Sequence, residues 1–238
     1  MNQLYQIDTI VLPSLGDAAG RLDCCRAFGL FMDLAALHSE QLGAGICSML
    51  QRDLFWLAVR THARFYRRPR VGERVTLQTW PERPGKAHCV RNYRILQGDE
   101  VLAAAKTDWA VLKISDQTLA PVDVLFPPEL TYELGPALTE RFAAPSRKFG
   151  PENVCGSYRV RERDLDMGGH VNNAAYLPIV LELLDPGLLP AELHEIDLGY
   201  RKPCFGGDEL TLCCRPVEQG LDLALLKEGE PAFLARLA

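Results

Sequence analysis

Two stretches of the chain carry apolar residues at helical spacing, and each is followed by segments typical of short β-strands. In the first, Leu30, Leu34 and Leu37 lie on or near one stripe of a helix predicted over 24–43, with Gly43 as a terminator. The apolar run 176–184 predicts a second helix over 172–184. Residue composition predicts strands at 75–80, 87–96, 101–114, 210–215, 221–227 and 232–237. Tight turns are expected at 97–100 and 228–230.

The chain also repeats itself over a long distance. The pattern Tyr66-Arg-Arg-Pro69, followed by Gly72-Glu-Arg-Val-Thr-Leu, returns about 135 residues later as Tyr200-Arg-Lys-Pro203, then Gly207-Asp-Glu-Leu-Thr-Leu. Solenoid repeats have periods of about 20–50 residues, so a spacing this long predicts two duplicated domains instead.

One helix followed by an antiparallel meander favours a sheet wrapped around a helix in each half, which is an α+β fold. A helix enclosed in this way should be apolar on most sides, as residues 27–37 are. We therefore expect domains at 1–126 and 152–238. The segment 127–151 contains five prolines and is interpreted as the linker that crosses between them.

Composition narrows the classes of function. The net charge of −5 leaves no excess of cations to neutralise phosphates, which argues against a nucleic-acid partner. No apolar run reaches the ~18 residues of a membrane-spanning helix, and the first residues lack the features of a signal peptide. A cytoplasmic location is therefore expected.

Cysteine and histidine usage gives no sign of a metal or cofactor. None of the eight cysteines forms a C-x-x-C motif, and we interpret them as buried, reduced thiols. The histidines at 38, 62, 88 and 194 are scattered without ligand spacing. No metal and no cofactor are expected.

The densest group of polar residues is the run from Asp164 to Asn173, Asp-Leu-Asp-Met-Gly-Gly-His-Val-Asn-Asn, just before the second predicted helix. It supplies carboxylates, an imidazole and two amides to one short loop, which suits acid–base chemistry. The alternative is structural, because asparagine is a favoured residue for capping a helix.

Three motifs in order, His38-Ser-Glu-Gln-Leu-Gly43, Gln78-Thr-Trp-Pro81 and the run 164–173, resemble the acyl-acyl carrier protein (ACP) thioesterases. The resemblance covers nearly the whole chain and implies a tandem (double) hot-dog fold. It implies hydrolysis of the thioester that joins a fatty acyl chain to ACP, releasing free fatty acid. The first half would hold the acyl chain without catalysing, and the second half would catalyse.

Carried over residue by residue, the resemblance implies that Asp166 and His170 are catalytic. The asparagine that the family carries falls on Gly168, and its glutamate falls on Pro203. Two of the four expected polar groups are therefore replaced. Residues that could support the depleted site are Cys204, Glu182 and Asn172.

Thioester hydrolysis also needs donors for the developing oxyanion. Glycine allows close approach of the backbone, and amides at the start of a helix are unpaired. The backbone amides of Gly169 and Val171 are the expected oxyanion donors.

The expected partner is ACP, whose acidic surface would suit the basic residues at 64–70 and at 201–202. Two alternatives stay open. One is a catalytically weak or inactive acyl-binding hot-dog protein, since Gly168 and Pro203 replace expected groups. The other is an acyl-coenzyme A thioesterase. The sequence leaves open whether the protein is a monomer or a homodimer.

Overall fold

The computed structural model describes residues 2–190, 192–218 and 220–238, which fold as two compact units. The first unit comprises residues up to 59 and 63–140, and the second comprises 60–62 and 141–238. The helices are α1 (Cys24–Gln41), α2 (Ile46–Gln51) and α3 (Tyr176–Leu183). The strands are β1 (Tyr5–Ile10), β2 (Leu54–Phe65), β3 (Arg74–Pro81), β4 (Cys89–Gln97), β5 (Glu100–Lys113), β6 (Leu119–Ala120), β7 (Val154–Arg159), β8 (Glu195–Tyr200), β9 (Glu209–Val217), β10 (Gly220–Lys227) and β11 (Glu230–Leu237).

The first unit packs α1 against an antiparallel sheet of order β1-β3-β4-β5-β2, with β6 paired to β5. Asp23 caps α1 by accepting the amide of Arg26 at 3.1 Å, and Phe31 packs on Tyr93 of β4 with ring centroids 5.1 Å apart. The buried guanidinium of Arg91 lies 3.0 Å from His38 Nδ1 in the last turn of the helix. Because a helix carries partial negative charge at its C-terminus, this turn is a favourable place for the cation.

The second unit packs α3 against a sheet of order β8-β11-β10-β9-β7. Tyr176, at the start of α3, stacks on Phe233 of β11 with ring centroids 4.8 Å apart. The helix begins four residues later than predicted, because Asn172 forms a turn instead. Its Oδ1 accepts the amide of Ala174 at 2.9 Å and its carbonyl accepts the amide of Ala175 at 2.8 Å.

The predicted strands were found at all six positions, with ends that differ by only a few residues. The long strands β1, β2, β7 and β8 were not predicted. Strand β2 mixes apolar, cationic and imidazole side chains without a strict alternation, so its period is not visible in the sequence. Among the helices in the described ranges, none has the length and apolar character needed to cross a bilayer.

Residues 133–149, inside the predicted linker, are bound to the sheets by side-chain hydrogen bonds. In the first unit Trp80 Nε1 donates to the carbonyl of Gly135 at 3.0 Å, and Asn92 Oδ1 accepts the amide of Ala137 at 2.8 Å. Trp80 and Asn92 are directly opposite each other on β3 and β4. This stretch of the predicted linker is therefore attached to the neighbouring strands β3 and β4.

In the second unit, backbone amides of the same segment donate hydrogen bonds to a row of alternating charges that runs across four strands. Asp197, Arg236, Asp222 and Arg215 are successive cross-strand partners on β8, β11, β10 and β9. Arg236 binds both oxygens of Asp222, at 2.7 and 3.0 Å. The amide of Ser146 donates to Asp222 at 2.9 Å. These bonds satisfy a carboxylate that is only 1% exposed.

The expectation that all cysteines are buried, reduced thiols was wrong. Cys155 and Cys214 form a disulfide, and Cys47 is exposed. Cys155 is the extra residue of a β-bulge in β7, and its Cα lies 6.3 Å from that of Cys214, within reach of a disulfide. The two residues are 59 positions apart, so only the strand register reveals the pair.

The charge row gives a test of the second unit. Asp222→Ala should lower the free energy of unfolding by about 2–3 kcal/mol, because Arg236 loses its bidentate partner and the Ser146 amide loses its acceptor. The fall should stay below the ~3–5 kcal/mol of a fully buried pair, since Arg236 is partly exposed. Urea unfolding followed by circular dichroism measures it.

Glu209→Ala is the matched control, since it removes the ion pair with Arg159, 3.7 Å away on the same sheet, in which both side chains are exposed. It should cost less than about 1 kcal/mol. Equal losses in the two variants would contradict a stabilising role for the row.

Candidate active site

The polar run before α3 forms a loop whose two ends are held by Asp164. The Asp164 carboxylate is buried and accepts the Tyr158 hydroxyl at 2.9 Å and the amide of Arg161 at 2.8 Å. Its carbonyl accepts the amide of Asn172 at 2.8 Å. Asp164 therefore fixes where the loop begins and ends, and it is not a solvated group.

Within this loop, residues 166–170 form a turn that is held by hydrogen bonds among its own residues. The amide of Asp166 donates to the carbonyl of His170 at 2.8 Å, and the amide of Gly169 donates back to the carbonyl of Asp166 at 3.0 Å. Asp166 Oδ1 accepts the amides of Gly168 at 2.8 Å and His170 at 3.4 Å. Gly169 has a φ of +75°, a left-handed conformation that favours glycine.

This arrangement commits only one oxygen of Asp166. Oδ1 holds the two amides, whereas Oδ2 accepts no hydrogen bond from any residue that the structure describes. The carboxylate is partly exposed. One oxygen therefore remains available to a water molecule or to a substrate.

The imidazole of His170 lies against the loop that joins β8 to β9. His170 and Phe205 form an isolated bridge, and their ring centroids are 5.0 Å apart. Lys227 lies 5.0 Å from the centroid of the Phe205 ring and pairs with Asp208 at 2.6 Å. The fold thus places Asp166 and His170 beside the loop that carries Pro203 and Cys204.

The two amides expected to hold an oxyanion are both engaged. The amide of Val171 donates to the carbonyl of Cys204 at 2.8 Å, and that of Gly169 donates to Asp166. By contrast, the amide of Asn173 donates to no acceptor in the described part of the chain. Because α3 begins at Tyr176, none of these amides belongs to its first turn.

The three side chains considered as support have different surroundings. Burial raises the pKa of the Cys204 thiol, and the nearby Tyr176 hydroxyl only partly offsets this, so no thiolate is favoured. Glu182 is exposed on α3 and contributes, after Tyr158 and Asp164, to raising the pKa of Arg163. Asn172 forms the turn described above and does not cap α3, because the N-cap residue is Ala175 and no side chain caps it.

The positions of the two replaced groups are open. Gly168 and Pro203 are both exposed. Asp208, in the same loop as Pro203, already binds Lys227 and accepts the amide of Phe205 at 2.8 Å. It therefore does not supply an uncommitted carboxylate.

The first unit contains the same closed loop at residues 17–21. The amide of Asp17 donates to the carbonyl of Arg21 at 2.7 Å, and the amide of Gly20 donates to Asp17 at 2.9 Å. Asp17 Oδ1 accepts the amides of Ala19 at 2.9 Å and Arg21 at 3.0 Å. Gly20 has a φ of +70°. Each of these features has a counterpart in residues 166–170, so the duplication extends to this loop.

The two loops differ at the second carboxylate oxygen. Asp17 Oδ2 is bound by Arg68 at 2.6 Å. Burial opposes the ionisation of Asp17, but the Arg21 amide and Arg68 together hold its pKa below the usual range. No cation in the described part of the chain binds Asp166 in this way, and His170 stands where the first loop has Arg21. The second loop alone keeps an accessible carboxylate beside an imidazole.

An aromatic cluster under the loop was missed by the sequence analysis. Tyr200 donates its hydroxyl to the carbonyl of Asn173 at 3.2 Å, and its ring lies 5.8 Å from Tyr176 and 5.5 Å from Phe233. Tyr200 belongs to the long repeat, where it matches Tyr66. The repeat was the signal that could have identified it as a residue that positions the loop.

Comparison with known families covers both units. Residues 3–124 match the acyl-ACP thioesterase N-terminal domain, and residues 151–228 match the acyl-ACP thioesterase C-terminal domain.

Individual relatives agree with these matches. The chain is 28% identical over 221 residues to the chloroplastic oleoyl-acyl carrier protein thioesterase of Coriandrum sativum, covering 83% of this chain and 58% of that protein. It is 29% identical over 183 residues to the chloroplastic palmitoyl-acyl carrier protein thioesterase of Cuphea hookeriana, covering 72% of this chain and 43% of that protein. The chain thus spans about half the length of these curated relatives.

Solved structures share the fold at low identity. An acyl-ACP thioesterase from Bacteroides thetaiotaomicron superposes with a TM-score of 0.82 at 20% identity, covering 99% of this chain and 97% of that one. The 12:0-ACP thioesterase from Umbellularia californica gives a TM-score of 0.84 at 17% identity, covering 99% and 96%. The fold is the tandem hot-dog that the sequence predicted. Together with the domain matches, this shows that the chain belongs to the acyl-ACP thioesterase family.

Proposed function

We propose that this protein hydrolyses the thioester of fatty acyl-ACP and releases a free fatty acid. The observation that carries the proposal is the difference between the duplicated loops. Arg68 occupies the second oxygen of Asp17, whereas Oδ2 of Asp166 is uncommitted among the described residues and shares its loop with His170. The names of the curated relatives support the substrate class.

In the proposed reaction, Asp166 Oδ2 accepts a proton from the water molecule that attacks the thioester carbonyl carbon. In the bound complex Asp166 transfers this proton to His170, which donates it to the sulfur atom as the carbon–sulfur bond breaks. The water oxygen ends in the fatty acid and the proton ends on the thiol of the carrier arm.

The oxyanion formed on the carbonyl oxygen requires a hydrogen-bond donor. Gly169 and Val171 were the expected donors, but each would have to release its present acceptor. The amide of Asn173 has no acceptor to release among the described residues, and Tyr200 fixes the carbonyl of the same residue. We therefore include Asn173 as the donor that costs least to recruit.

For the carrier, the second unit offers exposed cations close to the candidate site. In the first unit Arg64, Arg67 and Arg68 pair with Glu140, Glu73 and Asp17. Arg201 and Lys202 are exposed beside the candidate site. Burial and the nearby charges of Arg147 and Arg60 lower the pKa of Arg201, which indicates a concentration of positive charge suited to an acidic carrier.

A second candidate function is acyl binding without turnover, favoured by the exposed Gly168 and Pro203 at the positions of two expected polar groups. Coenzyme A is an alternative carrier. Release of free thiol from acyl-ACP and from acyl-coenzyme A, measured side by side, tests all three. Binding of acyl-ACP with no thiol release from either substrate would contradict the proposed hydrolysis.

The role of Asp166 has a matched control within the chain. Asp166→Asn keeps an oxygen for the Gly168 and His170 amides but removes the base, so kcat should fall by about 100-fold or more. Asp17→Asn makes the same change in the equivalent loop of the first unit and should leave turnover close to that of the starting protein. Steady-state thiol release measures both.

Unchanged turnover in Asp166→Asn would remove Asp166 from the mechanism. An equal loss in both variants would mean that the aspartates act only by holding their loops.

Restoring the two replaced groups tests whether their loss limits the rate. Gly168 does not have a left-handed backbone, and both Gly168 and Pro203 are exposed. Gly168→Asn combined with Pro203→Glu should raise kcat by about 10-fold or more, because positioned polar groups stabilise transition-state charge. If kcat is unchanged while the protein remains folded, these positions are not what limits turnover.

A further inference from the structure

A buried histidine and two carboxylates meet in the second unit, outside the candidate active site. His62 of β2 is 1% exposed, and its two ring nitrogens face Asp197 and Glu195 of β8. Nδ1 lies 2.9 Å from Asp197 Oδ1, and Nε2 lies 3.3 Å from Glu195 Oε1. One donor atom from each residue lies within 4.8 Å of the others. The proposed hydrolysis uses none of the three.

Asp197 fixes the orientation of the ring. Its Oδ1 also accepts the amide of Ala143 at 2.9 Å, and it is 4% exposed, so the carboxylate is held in place. A carboxylate at Nδ1 favours the tautomer with the proton on that nitrogen, which leaves the lone pair on Nε2. This is the arrangement by which proteins orient a histidine that binds a metal.

Nε2 is buried and makes no hydrogen bond within the described residues, although Glu195 Oε1 is close. The separation of 3.3 Å is within hydrogen-bond reach, yet the contact does not meet the geometry of a hydrogen bond. Two ligands bonded about 2.0–2.1 Å from a tetrahedral Zn²⁺ are separated by about 3.3–3.4 Å and lie off each other's axes. The pair therefore has the spacing of two metal ligands and poor geometry for a hydrogen bond.

We propose that His62 Nε2 and the Glu195 carboxylate bind a divalent transition-metal ion of the zinc class, with Asp197 as the residue that positions His62. An imidazole ligand suits zinc, nickel or copper better than magnesium or calcium. The Glu195 side chain is 32% exposed, which gives water access to the remaining coordination positions.

Such an ion would stabilise the folded second unit. His62 packs edge-on against Phe142, with ring centroids 6.5 Å apart, and Asp197 holds the amide of Ala143. The ion would join residues 60–62, the start of β8 and the segment at 142–143 in one unit. Binding to the folded state alone raises its stability as the concentration of free metal rises.

The competing explanation is an ion-pair cluster in which a protonated imidazole lies between two carboxylates and no metal binds. The two explanations differ in stoichiometry. A metal site takes up one equivalent of ion per chain and loses it when Nε2 is removed, whereas the ion-pair cluster takes up none.

The test uses the full chain after treatment with a chelator. Zn²⁺ is titrated by calorimetry, Co²⁺ is followed by its visible absorption, and thermal unfolding is measured with and without Zn²⁺. We expect one equivalent bound, a raised unfolding temperature and no thiolate-to-cobalt charge-transfer band. That band would instead place the ion on the cysteines and overturn the proposal, as would an absence of binding.

Variants locate the site. His62→Gln should abolish binding, and Asp197→Asn should weaken it about 10–100-fold, as is usual for residues that orient a ligand. Glu195→Gln changes a partly exposed side chain and should weaken binding in a folded protein even if His62→Gln does not fold. His88→Gln is the control, because His88 Nδ1 also pairs with a buried carboxylate, Asp108, at 3.2 Å. Unaltered affinity in Glu195→Gln, or an equal loss in His88→Gln, would overturn the proposal.

Discussion

The structure around the candidate site depends on an aspartate that supplies acceptors to the amides of its own loop. In each unit the chain must pass from a strand region into a helix through a five-residue turn, and the amides of that turn have no partner in regular secondary structure. Asp17 and Asp166 solve this problem in the same way, with one carboxylate oxygen bound to two amides. The polar cluster is therefore first a means of closing a turn.

The proposed function depends on the carboxylate oxygen that does not bind the amides of the turn. A carboxylate has two oxygens, and in the first unit Arg68 takes the second one. In the second unit no described residue takes it, and the imidazole of His170 follows at the end of the same loop. The duplicated loops thus share one backbone conformation. The side chains around the second carboxylate oxygen of Asp17 and of Asp166 make the two loops chemically different. The same reasoning explains why only one half of the molecule is a candidate for catalysis.

The segment between the repeats both connects the two units and supplies hydrogen bonds to each of them. Its prolines predicted a linker, but buried polar groups on the sheets require partners, and this segment provides them. Its amides satisfy Asn92 in the first unit, and Asp197 and Asp222 in the second. The acceptor role of Asp197 toward Ala143 is also what fixes the carboxylate next to His62.

The sequence by itself determined the duplication, the class of fold and the loop that carries Asp166 and His170. These follow from the order of residues along the chain, because helical and strand periods, a long repeat and motifs shared with a known family can be read without knowing the contacts. Only the tertiary structure decided which polar groups already have a bonding partner within the protein. It showed that the amides of Gly169 and Val171 are engaged, that Cys155 pairs with Cys214, and that His62 lies between Glu195 and Asp197. Such facts depend on strand register and on residues as far as 135 positions apart, where no local pattern records the contact. The physical reason is that a polar group can act on a substrate or an ion only with the hydrogen-bonding atoms that its neighbours do not already bind. Which residues become its neighbours is decided by the tertiary fold.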